Sequence, residues 1–534
     1  MAARKTYVNR MYGKGPFRYN ANRPDENIVF ISLDMVPREF YLELEGTVPP
    51  EAEQWKTIKE NHLFFRNAFC SSPLCSPSRA SYLTGRYPYI TGNSERAHDG
   101  HIMHVRDDDI LFPEYLKALG WHLRHVGKCH VGSRKFMDVF GENDSPWDRW
   151  SPPWYDDDHY NTFLREKGLE TISFSRSIRG RDPSGIGFGN FYGGWVASQN
   201  DHPFPPEATY PAYLAEQAII ALESRKDPNR PFYLQLDFFG PHQPFAIPCG
   251  MEEREKEIRS TLRLPETYLK LLENGFQPPW EEPRVYRFYR KNWGLDDPTV
   301  LEDYMVANLL QFELIDRMVG RLFDYLKKAG LYDKSWIFLI ADHGEMNGEL
   351  GLIDKGSFLN PGVIRVPLAI KPPLKHPLGR TQMRVEAPVS LLDLAPTVLE
   401  IGGISSEDRQ DGFSLLKILN GEERPDDKPI LFDIWSHIIP NPSIGMVFTT
   451  AGGLRYMFTF NSVDDIDELY LLDSSRNITN RINDPECALI LEEAIEKMKS
   501  ILESDERWQG YADFFKLTYA ENLGSPGSDR QHFF

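Results

Sequence analysis

The chain of 534 residues is 41% apolar and 26% charged, with a mean hydropathy of -0.46 and a formal net charge of -18. This length can bury a large core and typically holds more than one structural unit. The acidic charge argues against a nucleic-acid partner, which needs clustered Lys and Arg, and no apolar run approaches the roughly 20 residues of a membrane span.

Four short apolar runs predict strands, and polar side chains follow each of them. The runs cover residues 28–33, 121–126, 232–239 and 336–341. The polar residues that follow are, in order, Asp34, Lys128 with His130, His242, and Asp342 with His343. Runs of this kind are typical of strands buried on both faces of a parallel sheet. Because ligands bind beyond the carboxyl ends of such strands, we expect the polar residues to converge on one site.

Helical patterns lie between these runs. Residues 210–225 and 301–328 carry apolar side chains at helical spacing. A further strand is predicted over residues 363–370 and a further helix over 389–399. The alternation predicts an α/β fold with a doubly wound, mostly parallel sheet and helices on both faces.

The pattern changes near residue 425. Short runs predict antiparallel strands, and a helix follows them, at residues 429–432, 446–450, 454–460, 468–472 and 490–502. We therefore predict a catalytic α/β domain over residues 1–425 and an α+β subdomain over 426–534, with an extended tail from residue 517. The long segment 147–194, rich in aromatic, Gly and Asp residues, is predicted to be a lid that selects the substrate.

The cysteines and the N-terminus indicate the compartment. The first ten residues have neither the apolar core nor the cleavage site of a signal peptide. Five scattered cysteines form a poor disulfide framework and favour a reducing environment: Cys70, Cys75, Cys129, Cys249 and Cys487. We expect a cytoplasmic protein without a membrane partner.

Residues 75–79 read Cys-Ser-Pro-Ser-Arg and match Cys-x-Pro-x-Arg, the signal by which a modifying enzyme converts cysteine into formylglycine. With the polar residues described above, the chain over residues 25–480 resembles the sulfatase family of the alkaline phosphatase superfamily. The resemblance implies an alkaline-phosphatase-like fold and a formylglycine made from Cys75. One hydroxyl of the aldehyde hydrate attacks sulfur, and the other later loses its proton and expels sulfate. A helix beginning near Ser78 would place this nucleophile at its N-terminus, where backbone N–H groups favour anionic oxygen.

The resemblance also implies a divalent metal ion held by Asp34, Asp342, His343 and an oxygen of modified Cys75. Many sulfatases have a second Asp where this chain has Met35, and Asn where it has His343. This arrangement is more similar to choline sulfatases and phosphonate monoester hydrolases. Because imidazole replaces a hard oxygen ligand, preference shifts from Ca²⁺ toward Mn²⁺, and we expect one of these two ions.

The remaining catalytic roles are implied by the same resemblance. Lys128 and His130 match a Gly-Lys-x-His element that binds sulfate oxygen and the second hydroxyl, with His130 as base. His242, in Pro-His, would protonate the leaving oxygen, and Lys355 would neutralise the sulfate. Arg79 completes the modification motif and is counted among the catalytic residues.

One position departs from the choline-sulfatase pattern. Arg96 stands where those enzymes usually carry Asn, and we take it as a candidate substrate-binding residue. Nearby histidines match no family element and are left as surface or supporting residues: His98, His101, His104, His122 and His125.

The function predicted first is cleavage of sulfate monoesters, with a small-molecule sulfate ester as substrate and a formylglycine-generating enzyme acting during maturation. The alternative is a phosphonate monoester hydrolase or phosphodiesterase that uses the same site. A remote alternative is a non-catalytic binder of sulfated ligands in which Cys75 stays a thiol. Related enzymes exchange C-terminal tails, so the resemblance implies a homo-oligomer, a dimer or a tetramer.

Overall fold

A computed structural model describes residues 18–19, 26–88, 105, 109–131, 134–141, 143–147, 157–185, 187, 189–197, 202–405, 410–422, 429–462, 465–472 and 478–519. The strands are β1 (Arg18–Tyr19), β2 (Asn27–Asp34), β3 (Leu63–Phe65), β4 (Ala68–Phe69), β5 (His122–Lys128), β6 (Asn143–Trp147), β7 (Phe174–Arg179), β8 (Phe191–Val196), β9 (Phe232–Pro241), β10 (Phe245–Ile247), β11 (Ser335–Ala341), β12 (Arg365–Val366), β13 (Leu368–Lys371), β14 (Met383–Val385), β15 (Val389–Ser390), β16 (Ile404–Ser405), β17 (Ile430–His437), β18 (Ile439–Thr449), β19 (Arg455–Asn461) and β20 (Glu468–Leu471). The α-helices are α1 (Glu53–Asn61), α2 (Cys75–Thr84), α3 (Phe112–Ala118), α4 (Arg134–Phe140), α5 (Asp158–Glu166), α6 (Tyr210–Glu223), α7 (Glu252–Thr261), α8 (Glu266–Glu273), α9 (Arg284–Trp293), α10 (Pro298–Lys328), α11 (Pro361–Ile364), α12 (Leu394–Ile401), α13 (Leu415–Leu419), α14 (Ala488–Ser504) and α15 (Gln509–Tyr519).

An eight-stranded sheet lies at the centre, in the order β14-β3-β13-β11-β2-β9-β5-β6. All neighbours are parallel except β13, which runs antiparallel to both β11 and β3. Strand β2 is buried along its whole length, as its mostly apolar sequence predicts. The predicted α/β fold with a mostly parallel sheet is confirmed.

Two predicted elements differ from the structure. The strand predicted over residues 363–370 is interrupted, because α11 ends at Ile364 and Pro367 separates β12 from β13. Proline has no N–H to donate to a strand ladder, which explains the break. The helix predicted over residues 389–399 begins only at Leu394, after strand β15 and a short 3-10 turn that the Ser390 hydroxyl caps.

Helices cover both faces of the sheet. The longest, α10, begins after Asp297, whose carboxylate accepts a hydrogen bond from the Thr299 N–H. Its apolar side is buried against α6 and β9. No described helix combines the length and apolarity needed to cross a membrane.

The C-terminal part forms a four-stranded antiparallel sheet, β17-β18-β19-β20. Side chains on one face, such as Phe432 and Met457, join the main core, whereas Leu431 and Phe458 face a second core with α14 and α15. The domain boundary predicted between residues 425 and 426 lies outside the described residues and stays a prediction. Helix α15 continues to Tyr519, so the predicted tail begins as a helix, and residues 520–534 lie outside the described part.

The segment 147–194, predicted to be a lid, contains regular structure. It holds helix α5 and strand β7, and β8 begins within it. Strand β8 pairs in parallel with β10, which follows His242 in the chain by only a few residues. The segment is therefore part of a small sheet that lies next to the site described below.

Candidate active site

The predicted polar residues come from four adjacent strands of the central sheet, β11, β2, β9 and β5. Asp34 and Lys128 are the last residues of β2 and β5, and Asp342 and His242 directly follow β11 and β9. Backbone bonds tie these ends together, because the His242 N–H donates to the Asp34 carbonyl at 3.1 Å. The structure thus brings residues far apart in the chain to one edge of the sheet.

Cys75 is the first residue of helix α2 and is fully buried. The helix begins three residues earlier than predicted and has no side-chain cap, so its N-terminal N–H groups are available to an anion.

Cys75 and three side chains around it form a group that could hold a metal ion, and the three are Asp34, Asp342 and His343. One ligand atom from each lies within 4.8 Å of all the others. Cys75 Sγ is 3.5 Å from Asp34 Oδ1 and 3.3 Å from His343 Nε2. His343 Nε2 is in turn 3.7 Å from Asp342 Oδ1. Among the described residues this is the one such group of three or more, and all its members are buried.

The orientation of His343 suits a metal ligand. Its Nδ1 lies 3.0 Å from the Gly344 carbonyl, to which it can only donate, so Nε2 is the atom that faces the group. Burial lowers the pKa of His343, but Asp342 and Cys75 outweigh burial and raise the pKa to about 9. A cation that binds here would displace one proton from the imidazole.

Arg79 connects the two carboxylates of this group. Its Nε donates to Asp342 Oδ2 at 2.8 Å, and its Nη2 lies 3.3 Å from Asp34 Oδ2. A third bond runs from Nη1 to the Lys128 carbonyl at 2.7 Å. Because the guanidinium is fully buried and presents its donors in a fixed plane, it sets the spacing of both carboxylates.

Positive charge surrounds the Cys75 side chain. Lys128 Nζ lies 2.5 Å from Asp34 Oδ2, and His130 hydrogen-bonds the Cys75 side chain. Burial and the neighbouring Cys75 oppose ionisation of Asp34, but Lys128, with other cations, lowers its pKa to about 2. Burial also disfavours the Cys75 thiolate, yet Lys128 and Lys355 hold the pKa of the thiol well below its usual range. The position therefore favours a negatively charged group.

His242 and Lys355 form a second pair at the site. Lys355 Nζ is 2.6 Å from His242 Nε2, and His242 Nδ1 is 2.5 Å from the Gln243 carbonyl, so Nδ1 donates there and Nε2 faces the lysine. Lys355 also pairs with Asp354 at 3.2 Å. Burial disfavours the ammonium, but Asp354 outweighs burial and raises the pKa of Lys355. Lys355 therefore keeps its charge in a buried place.

Sequence reasoning missed Asp237, which lies inside β9 and is fully buried. Its carboxylate accepts hydrogen bonds from Ser32 Oγ and Gln235 Nε2, and it lies 3.9 Å from Arg79 Nη1. His125 Nε2 lies 3.1 Å from it, so this histidine supports the site from a buried position and is not a surface residue. A single Asp inside an apolar run was the available signal, because a buried carboxylate needs partners.

Two further residues border the site but belong to no sequence motif. Tyr289 and His437 lie beside the segment that follows Lys355, and the Tyr289 hydroxyl donates to the His437 carbonyl. The predicted substrate residue Arg96 and the histidines His98, His101 and His104 lie outside the described residues. His122 is half-buried.

Comparison with known proteins agrees with this geometry. A choline-sulfatase from Rhizobium meliloti is 27% identical over 478 residues, which cover 86% of this chain and 83% of that protein. An arylsulfatase from Clostridium perfringens is 24% identical over 522 residues, 95% of this chain and 99% of that protein. A solved phosphonate monoester hydrolase from Silicibacter pomeroyi has a TM-score of 0.64 at 18% identity, covering 90% and 95% of the two chains, which shows a shared fold. A family model described as Sulfatase matches residues 26–404, and the protein belongs to the sulfatase family.

Proposed function

We propose that the protein, a sulfuric ester hydrolase by family, cleaves sulfate monoesters by way of a formylglycine made from Cys75. One observation carries the proposal: Cys75, at the start of α2, lies within 3.5 Å of both Asp34 Oδ1 and His343 Nε2. The formylglycine supplies a hydrate in which one hydroxyl attacks sulfur, while the other allows the aldehyde to re-form as sulfate leaves. No second attack on sulfur is needed, and water acts only afterwards, when it adds to the aldehyde carbon and restores the hydrate.

The side chains around Cys75 fit a divalent cation. Asp34, Asp342 and His343 Nε2 would hold it, together with the modified residue 75. A bound cation supplies Lewis-acid polarisation of sulfate and lowers the pKa of the attacking hydroxyl. Two carboxylates and one imidazole suit Mn²⁺ well and Ca²⁺ less well, which supports our expectation of one of these ions.

In this mechanism the two lysines bind the sulfate, the pair of Lys355 and His242 gives up one proton, and His130 takes up another. Lys128 and Lys355 are both close enough to Cys75 to lower the pKa of its thiol against the effect of burial, and they would hold the sulfate oxygens. When the bond from sulfur to the alcohol oxygen breaks, the proton shared by Lys355 Nζ and His242 Nε2 goes to that oxygen. His130 then takes the proton from the second hydroxyl. Burial lowers the pKa of His130, so the imidazole is neutral and ready to accept it.

The test combines mass analysis with activity. The peptide that contains residue 75 is measured by mass spectrometry in active protein, and hydrolysis of 4-nitrophenyl sulfate is followed in parallel. We expect aldehyde at residue 75 and activity in proportion to it, and no activity in Cys75→Ala. Cys70→Ala is the matched control, because Cys70 is an equally buried thiol whose Sγ faces the Val363 carbonyl. An active protein with an unmodified thiol, or full activity in Cys75→Ala, overturns the proposal.

A second candidate is hydrolysis of phosphonate monoesters or phosphodiesters at the same site. The observation that favours it is the ligand set, which has one Asp before Met35 and a His at position 343, together with the structural likeness to a phosphonate monoester hydrolase. Comparing kcat/KM on aryl sulfate and aryl phosphonate esters separates the two. A higher value on the phosphonate assigns the protein to the second function.

A further inference from the structure

The turn between β17 and β18 is strained. Ile438, between His437 and Ile439, has φ 66°, a left-handed conformation that β-branched side chains rarely adopt. Its side chain is also 73% exposed, which is unusual for isoleucine. Strain of this kind persists where surrounding contacts enforce it, and it occurs frequently at functional sites.

Hydrogen bonds enforce this turn and attach it to the active site. The His437 N–H donates to Ser357 Oγ at 3.2 Å, and Asn441 Nδ2 donates to the Ser357 carbonyl at 2.6 Å. The Ser357 N–H donates to the Tyr289 hydroxyl at 2.9 Å, and that hydroxyl donates to the His437 carbonyl. Since Ser357 is two residues after Lys355, the C-terminal sheet is fixed directly to the segment that carries the catalytic lysine.

We propose that His437 and Ile438 form one wall of the pocket for the alcohol half of the substrate, and that this alcohol presents an uncharged, apolar surface. The inference rests on the proposed function, because the alcohol oxygen must lie at the His242 and Lys355 pair to receive its proton. Besides burial, the charges of Lys355 and Cys75 act on the pKa of His437, so the turn lies near that pair, on the side where we place the alcohol.

The character of the wall supports an uncharged alcohol. Tyr289 and His437 stack with ring centroids 6.3 Å apart and an angle of 15°, and Ile438 adds an exposed aliphatic surface. Burial and the nearby charge of Lys355 lower the pKa of His437 to about 4, so its imidazole is neutral at neutral pH. Lys355 is paired with Asp354 at 3.2 Å, so these two charges of the described segment are already matched with each other.

Ile438→Asn tests the proposal, because Asn tolerates the left-handed region and removes the apolar surface. Binding is measured by calorimetry in a Cys75→Ala background, with 4-nitrophenyl sulfate and methyl sulfate as ligands. We expect the Kd of the aryl ester to rise about tenfold, as loss of partial isoleucine burial implies, with methyl sulfate unchanged. Leu454→Asn is the matched control, since Leu454 is exposed in the turn at the opposite end of β18. It should change neither Kd.

Each outcome decides between the two proposals. If the wild-type protein hydrolyses aryl sulfate but Ile438→Asn changes neither Kd, the proposed wall is wrong and the proposed function stands. If only the Kd of the aryl ester changes and the wild-type protein has no sulfatase activity, the proposed wall stands and the proposed function is wrong. If Ile438→Asn raises both Kd values equally and lowers Tm, Ile438 has a structural role and the proposed wall is wrong. The proposed wall is also wrong if Cys75→Ala does not bind the aryl ester.

Discussion

Replacing Arg79 by Lys tests the role of the buried guanidinium. Lysine keeps the positive charge but cannot reach Asp342, Asp34 and the Lys128 carbonyl together. Losing two buried charge-assisted hydrogen bonds costs about 3 to 5 kcal/mol. For 534 residues, an unfolding entropy of about 2.1 cal/mol/K per residue converts this loss into a Tm lower by about 3 to 5 °C. Displacement of the carboxylates should also lower kcat/KM by about 100-fold or more.

Scanning calorimetry and 4-nitrophenyl sulfate kinetics measure the two effects on the same samples. Arg365→Lys is the matched control, because Arg365 is also buried but bonds to the Asn67 side chain at 2.7 Å and, within the described part of the chain, to no carboxylate. It should lower Tm while kcat/KM stays within about twofold of wild type. An Arg79→Lys protein with wild-type Tm and kcat/KM would refute the view that this guanidinium positions the carboxylates.

Three further predictions concern packing, pH and metal. Gly127 has φ +97°, and in Gly127→Ala the added Cβ would lie 2.0 Å from the Asp237 carbonyl oxygen, so we expect little soluble protein. A normal yield with a native circular dichroism spectrum would contradict this expectation. Burial, despite hydrogen bonds from Tyr286 and Tyr470, raises the pKa of Glu468 from 4.5 to about 7. The protonated carboxyl contributes its full stabilisation below pH 4.5, and about 3 kcal/mol of the free energy of unfolding is lost as the pH rises through 7. Glu468→Gln should therefore flatten the dependence of Tm on pH between 5 and 8. An unchanged slope in this variant would contradict the raised pKa of Glu468. A chelator should abolish activity, and Mn²⁺ or Ca²⁺ should restore it in wild type but not in His343→Ala. Activity that survives complete metal removal would contradict the metal assignment.

The strand ends of the site could be predicted because strands buried on both faces appear as unbroken apolar runs. Asp34 and Asp342 each follow such a run, and the topology rule for parallel sheets brings them together. The antiparallel direction of β13 could not be predicted, because a short apolar strand carries no signal of its direction.

Other parts of the site depend on contacts distant in sequence. Asp237 lies in an apolar run, and its partners Arg79 and His125 come from other elements, so only the folded chain shows why a carboxylate is buried there. His437 lies in no motif, and it reaches the site only because the C-terminal sheet packs beside Tyr289. Asp354 stands next to Lys355 in the sequence, but the sequence pattern indicates neither its left-handed backbone nor its ion pair with the lysine.

The complete burial of Cys75 has a consequence for the order of events in the cell. A maturation enzyme cannot reach a side chain that is closed off by the first turn of a helix and by the strand ends packed around it. The conversion of Cys75 that we propose would therefore occur while the newly made polypeptide is still open. The fraction of competent molecules is then decided during synthesis, and folded protein that missed this step should not gain activity when the maturation enzyme is added afterwards.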